Sequence, residues 1–195
     1  MIGLMKGASK LPVLALSLAL ALSACGGGTG TSVSCKDQYW DGTVGLCVPV
    51  GWGAMDQETM RQRGLGEETI VVLQSDAAVS GQFPTFTVTR EYLGEDTDAL
   101  TYESESTRLM KSAVGGYKQI DSRSVDLDGK TMHVHVFSGQ LREGSPQRRY
   151  YQLSTAVNKT GFTFMVMAPL SVPDTLQKQI NLMFDNVSFK QPAKK

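Results

Sequence analysis

What the sequence has little of already narrows its chemistry. Among 195 residues there are 3 cysteines and 2 histidines, and the charged share, 19%, is below the usual quarter or so. Neither sign dominates, with 19 Lys+Arg against 19 Asp+Glu, so the clustered cationic excess of a nucleic-acid binder is missing. No phosphate-cradling glycine loop, metal-finger spacing or Gly-x-Ser-x-Gly elbow occurs, and the three cysteines all have better uses than nucleophilic attack. No catalytic arrangement is legible, no cofactor is implied, and the expectation is a protein that is not an enzyme. What is present is 41% hydrophobic sequence, too apolar for a disordered polymer and sized for one compact domain.

The first residues carry an address. Lys6 and Lys10 precede a largely apolar, charge-free stretch from Leu11 to Leu22, followed by small residues, which is the pattern of a secretory signal. The stretch is shorter than the roughly 20 residues a membrane-crossing helix needs, so it does not read as a permanent span. Leu22-Ser23-Ala24-Cys25 resembles the bacterial lipobox, in which small residues admit the peptidase and the cysteine sulfur is the nucleophile that accepts a diacylglyceryl group. That resemblance makes 1–24 a signal peptide and Cys25 a lipidated first mature residue, anchored firmly by two or three acyl chains. Gly26, where the inner-membrane retention rule asks for Asp, favours the outer membrane if the host has one. The expected place is the cell envelope, with the domain facing the periplasm or exterior. Cleavage would remove Lys6 and Lys10 and leave the protein close to neutral.

Residues 25–34 then read as the lipidated cysteine and a flexible Gly/Ser/Thr tether. Cys35 and Cys47 remain as an even pair in an exported chain and are expected to form a disulfide. Asp41-Gly42 between them is a tight-turn signal flanked by strand formers, so 35–47 is a stapled hairpin. Its spacing lacks the short C-x-x-C of a redox-active pair.

The body, 48–190, alternates element types. Leu46–Trp52 reads as a strand ending in a turn, and Asp56–Arg63 as a short helix capped by Asp56 with Gly64 beyond its end. Ile70–Gln74 is a short strand, and 84–93 alternates Phe86, Val88, Arg90 and Tyr92 against threonines with the period of two of a half-buried strand. From Thr97 the period becomes helical, with Tyr102, Ser106, Leu109, Met110, Ala113 and Val114 on one face and a cap near Thr97 or Asp98. Strands follow at 118–128 and 130–141, joined at Asp128-Gly129, then at 149–158, with a turn at Lys159-Thr160-Gly161 into 162–168. That last strand is apolar on both faces, so helices should cover each. A helix over 173–185 and a short strand over 186–190 close the domain; 191–195 is a basic tail. The fold class is α+β, an antiparallel β-sheet with helices covering both faces, preceded by the disulfide-stapled hairpin.

This order, with Pro49-Val50-Gly51-Trp52, a strand carrying Tyr92 before the long helix and the Leu127-Asp128-Gly129-Lys130 hairpin, resembles the PsbP/DcrB-like fold. The resemblance covers roughly residues 46–190 and implies the fold more than a function. It also implies a mostly non-catalytic role: stabilising a complex, delivering a partner or acting at the envelope.

A few residues are candidates for more than structure. His133 and His135 sit two apart on one strand face and could share a Zn²⁺ or Cu²⁺ ion, but a third ligand is needed. The next strand offers Arg149, a cation, and Tyr151, a poor neutral ligand, on one face, so the expectation is ordinary histidines and no metal. Glu91, Glu95, Asp96 and Asp98 at a strand-to-helix junction read as capping and solvation rather than as a calcium or glycosidase site. Trp52, Arg90, Tyr92, Arg148 and Tyr150 together are a candidate binding patch, since Arg and aromatics are enriched at interfaces. Met165, Met167 and Met183 read as core packing. The leading functional reading is a non-enzymatic, lipid-anchored envelope protein that binds a protein partner or supports an envelope complex. The alternative is a carrier or sensor of a small hydrophobic or lipidic ligand held between sheet and helix.

Overall fold

Short turns with left-handed residues set the connections of this chain. A computed structural model describes residues 32–192; the expected signal peptide 1–24, Cys25 and the expected tether up to residue 31 lie outside the described residues, as do residues 193–195. Strands β1 (Cys35–Trp40) and β2 (Gly45–Pro49) form the expected antiparallel hairpin. The Asp41 carboxylate accepts from the backbone N–H groups of Thr43 and Val44, each at 2.8 Å, and Gly42 takes the φ of 100° that a side chain would resist. Cys35 and Cys47 are joined in a disulfide.

The expected strand 46–52 is broken. Gly51 (φ 81°) turns the chain, and Trp52 opens a separate short strand, β3 (Trp52–Ala54), which belongs to the main sheet. Helix α1 (Gln57–Gln62) follows, with the Asp56 carboxylate accepting from Thr59 N–H at 2.8 Å and Gly64 at φ 72° just past its end, as the sequence predicts. Then come β4 (Thr69–Ser75), β5 (Thr85–Tyr92), α2 (Ala99–Ala113), β6 (Gly115–Leu127), β7 (Lys130–Gln140), β8 (Arg148–Val157), β9 (Thr160–Ala168) and α3 (Asp174–Asp185). Strands β3 to β9 make one antiparallel sheet of seven, ordered β3-β4-β5-β9-β8-β7-β6.

Two hairpin turns show how local chemistry decides register. Asp128 and Gly129, at φ 55° and 95°, supply the paired positive dihedrals of a tight β6–β7 turn, as expected. The β8–β9 turn lies at Asn158-Lys159, at φ 48° and 61°, one residue earlier than the sequence suggested. Thr160 is already a strand residue, paired with Val157 on one side and Tyr92 on the other, because the two-residue turn matches strand twist better than a longer one.

One face of the sheet carries the main core. Val71, Leu73, Phe86, Val88, Phe164 and Val166 meet Leu176, Ile180, Met183 and Phe184 of α3, together with the fully buried β2. At about 1.5–3 kcal/mol per buried large side chain, the four α3 residues alone explain why this helix docks. The hairpin therefore shares the core of the domain. The segment after α3 is not the expected strand: only Ser188 pairs, with Gly45, through N–H···O contacts of 2.7 and 3.1 Å. Asp128 occupies the rest of its hydrogen-bonding capacity, accepting from the Ser188 hydroxyl and Phe189 N–H at 2.7 Å each. Helix α2, capped by Asp98 through Leu100 and Thr101 N–H at 3.0 Å, lies on the opposite face. Among the described residues no helix is long and apolar enough to cross a membrane.

Candidate functional site

The second sheet face is only partly covered, and that sets the site. On β9, Phe162, Phe164 and Val166 point into the core, while Thr163, Met165 and Met167 alternate onto the other face. Both faces of this strand were expected to lie under helices. Helix α2 instead packs over β8, β7 and β6 and reaches β9 only at its Gly161 end, through Tyr102, leaving the rest of the outer face of β5 and β9 open. Met165 and Met167 are thus only partly buried, packing against the Val114, Phe137 and Tyr150 cluster and not in the main core, whereas Met183 is fully buried.

The open strip is the floor of a groove of about 470 Å³. Thr85, Thr87 and Thr89 of β5 and Thr163, Met165 and Met167 of β9 line it, Tyr150 of β8 closes one side, and Leu65 and the 141–148 loop form walls. Tyr150 is fixed by stacking on Phe137, with ring centroids 5.2 Å apart, and burial pushes its phenol pKa up while the Arg148 charge partly offsets this. Two cations, Arg142 and Arg148, stand at the loop end, and among the described residues no carboxylate lines the groove. Arg148 donates to the neutral Gln82 amide oxygen, which positions the guanidinium without cancelling its charge. Apolar floor, threonine hydroxyls and paired arginines can hold a molecule with an apolar body and an anionic end.

The five residues read as one binding patch are not one surface. Arg148 and Tyr150 line the groove. Arg90 and Tyr92 lie at the other end of β5, since Tyr92 pairs with Thr160 where Thr85 pairs with Met167; there they border a polar recess with Glu67, Glu68 and Glu91. Trp52 is 1% exposed and belongs to the core, its indole N–H donating to Gln179 Oε1 of α3 at 3.1 Å. A buried indole beside a helix amide is structural, because its apolar body is removed from water while its single donor is satisfied.

The histidines gain a neighbour that the sequence reading missed. Arg149 and Tyr151 lie on the α3 face, where the Tyr151 hydroxyl donates to Gln177 Oε1 at 2.6 Å, and not on the histidine face. Facing His133 and His135 is Glu103 of α2. Its Oε1 lies 3.0 Å from His133 Nδ1 and 2.9 Å from His135 Nε2, while its Oε2 is buried without a partner. The stripe that α2 turns to the sheet is Ala99, Glu103, Ser106 and Met110, an i, i+4, i+7, i+11 series in which the polar members were hidden by their type. Leu109 and Ala113, read as part of the buried face, are exposed. Ser106 shares a hydrogen bond with Ser154 at 2.9 Å and accepts from Gln152 at 2.8 Å, so the layer under α2 is largely polar. In the carboxylate cluster, Asp98 caps α2, Glu91 accepts from the Tyr102 hydroxyl at 2.7 Å, and Glu95 and Asp96 are exposed.

No protein-family model matches the sequence, and no curated protein does either. Solved structures do match. The cyanobacterial PsbP (CyanoP) of Synechocystis superposes with a TM-score of 0.56 at 16% identity, over 83% of this chain and 96% of that one. LpqN of Mycobacterium tuberculosis, described as involved in cell envelope biogenesis, gives a TM-score of 0.58 at 14% identity over 80% and 88% of the two chains. A Mog1 variant gives 0.52 at 11% identity over 81% and 95%. At such identities the likeness speaks for architecture alone, and the antiparallel sheet between α2 and α3 is of the PsbP-like fold.

Proposed function

We propose that this chain is a non-enzymatic, lipid-anchored protein of the cell envelope, tethered through Cys25, that works by binding in the groove over β5 and β9. The observation that carries this reading is the groove itself: an apolar strip floored by Met165 and Met167 that ends at Arg142 and Arg148 with no lining carboxylate. Its occupant is a small amphiphile with an apolar body and an anionic head, which matches the groove in both polarity and charge. The secretory pattern and lipobox resemblance at 1–25 support the envelope location. A second reading, docking of a protein partner, draws on Leu141 at the groove wall and Phe83 beside Gln82, which are 43% and 48% exposed.

The test is displacement of a fluorescent anionic fatty-acid analogue, together with native mass spectrometry of protein isolated from its own host. Thr87→Trp fills the floor and should abolish probe binding without changing the melting temperature. Truncating Arg142 and Arg148 to alanine should weaken it about tenfold or more, since a hydrogen bond to a charged group is worth about 1.5–3 kcal/mol. A bare native mass and a probe indifferent to Thr87→Trp would overturn the amphiphile reading and move the weight to a protein partner.

A further inference from the structure

We propose that Glu103, His133 and His135 form a binding site for one divalent ion of the zinc or copper type, independent of the groove. The sequence placed two imidazoles on one strand face and lacked a third ligand; α2, packed on that same face, supplies it. Both nitrogens meet Oε1 of Glu103, and the Glu103 side chain is only 8% exposed, with Oε2 buried and unpartnered. A buried carboxylate oxygen without a partner costs free energy, and a cation held by the same carboxylate offsets that cost by balancing its charge. Two neutral imidazoles and one carboxylate are also a donor set that zinc and copper take readily, with a fourth position left open. The His133 side chain, 41% exposed, gives that open side access to solvent, while His135 at 21% and Glu103 form the deeper wall.

As the side chains stand, no group of three or more His, Cys, Asp or Glu among the described residues is placed to hold a metal ion, so binding requires these side chains to move. The distances explain this and define the change that binding requires. Ligand atoms about 2.0–2.2 Å from a tetrahedral ion lie roughly 3.4 Å apart. The observed separations, 3.0 and 2.9 Å, are those of imidazole N–H groups hydrogen-bonded to the carboxylate. Loss of those protons, a spread of about half an ångström from Oε1 and a closing of the two imidazole rings, whose centroids stand 6.2 Å apart, convert the hydrogen-bonded cluster into a coordinating one, with proton release on binding. The threonine one turn further along α2, Thr107, has a buried hydroxyl without a partner and stands four residues from Glu103, on the same side of the helix.

The experiment is titration of the protein, isolated from cells with its Cys35–Cys47 bond intact, with Zn²⁺ against a chromophoric chelator, and with Cu²⁺ by electron paramagnetic resonance. One equivalent should bind, with nitrogen hyperfine structure from two imidazoles. His133→Asn, His135→Asn and Glu103→Gln should each weaken binding by at least the roughly 10–100-fold typical of losing even an outer-shell partner. Glu103→Gln decides between this site and an exposed histidine pair, because it keeps the side-chain shape and removes the charge. Wild-type binding no tighter than that of the His133→Asn/His135→Asn double variant, or affinity unchanged in Glu103→Gln, overturns the proposal. The copper spectrum is read on the wild-type protein, so a variant that fails to fold does not shield the proposal: signals from fewer than two nitrogens overturn it as well.

Discussion

Truncating Trp52 to alanine separates a core role from a surface role more sharply than any other single change. The indole is 1% exposed, packs in the main cluster between the hairpin and the sheet, and donates to Gln179 Oε1 at 3.1 Å; the same amide donates through Nε2 to Val50 O at 3.0 Å. Removing a large aromatic from a filled core costs about 3–5 kcal/mol, the sum of lost transfer free energy and the residual cavity. For a domain of this size each kcal/mol moves the melting temperature by about 2–4 °C, so Trp52→Ala should lower it by roughly 6–20 °C. That is a large part of a total stability of about 5–15 kcal/mol. The hydrogen bond can be isolated with Trp52→Phe, Gln179→Ala and their double variant, whose coupling should be about 0.5–1.5 kcal/mol. The assay is urea unfolding followed by circular dichroism, with the denaturant slope checked for constancy. Tyr92→Ala is the control: at 77% exposed it should stay within about 0.5 kcal/mol of wild type. A melting temperature lowered by less than 2 °C or so in Trp52→Ala would refute the core assignment.

Three further outcomes follow from the geometry. Replacing Cys35 and Cys47 by serine opens a loop with a sequence separation of 12 and should cost about 3 kcal/mol in the chain-entropy model, read as a lower urea midpoint. Gly161→Ala would place a Cβ 2.4 Å from Tyr102 Cζ, so the ring must move and its bond to Glu91 break; a loss of about 1–3 kcal/mol is expected, largely relieved when Tyr102→Ala is combined with it. The Tyr102 phenol is pushed up from 10.0 to about 12, first by burial and then by Glu91. Because the folded value lies above the unfolded one, this contribution is complete below pH 10 and disappears as pH rises through 12. Tyr102→Phe should flatten the fall in urea midpoint over that range in part, the remainder arising from Tyr39, Tyr117, Tyr150 and Tyr151, whose values burial also raises.

What was legible in the sequence was what short-range chemistry decides. Asp41-Gly42 and Asp128-Gly129 announce their turns because few residues tolerate the dihedrals required, and the 2.0 and 3.6 periods locate β5, β7, α2 and α3 within a residue or two. The misreadings share one cause, dependence on partners distant in sequence. Trp52 looks like an interface anchor until Gln179, far along the chain, takes its N–H. Glu103 carries no signal of its own until His133 and His135 arrive from β7. The apolar face of β9 suggests burial, yet which strands α2 covers is set by how the whole helix packs, and the uncovered strip became the groove. Ser188 pairs alone because Asp128, across the sheet end, claims the neighbouring Phe189 N–H.

The disulfide also decides how the domain bears tension. Cys35 is the first residue of β1, and Cys47 lies in the middle of β2, every residue of which is buried. A pull on the chain ahead of residue 35 would ordinarily peel β1 off one hydrogen bond at a time, the weakest way to load a strand. The covalent link sends that pull past β1 into β2, which is wedged against α3 and bridged by Gly45 to Ser188. Extraction must then disrupt the core in one step, so the domain resists a tug from its front end as a block, and reduction of a single bond would turn it into one that unzips.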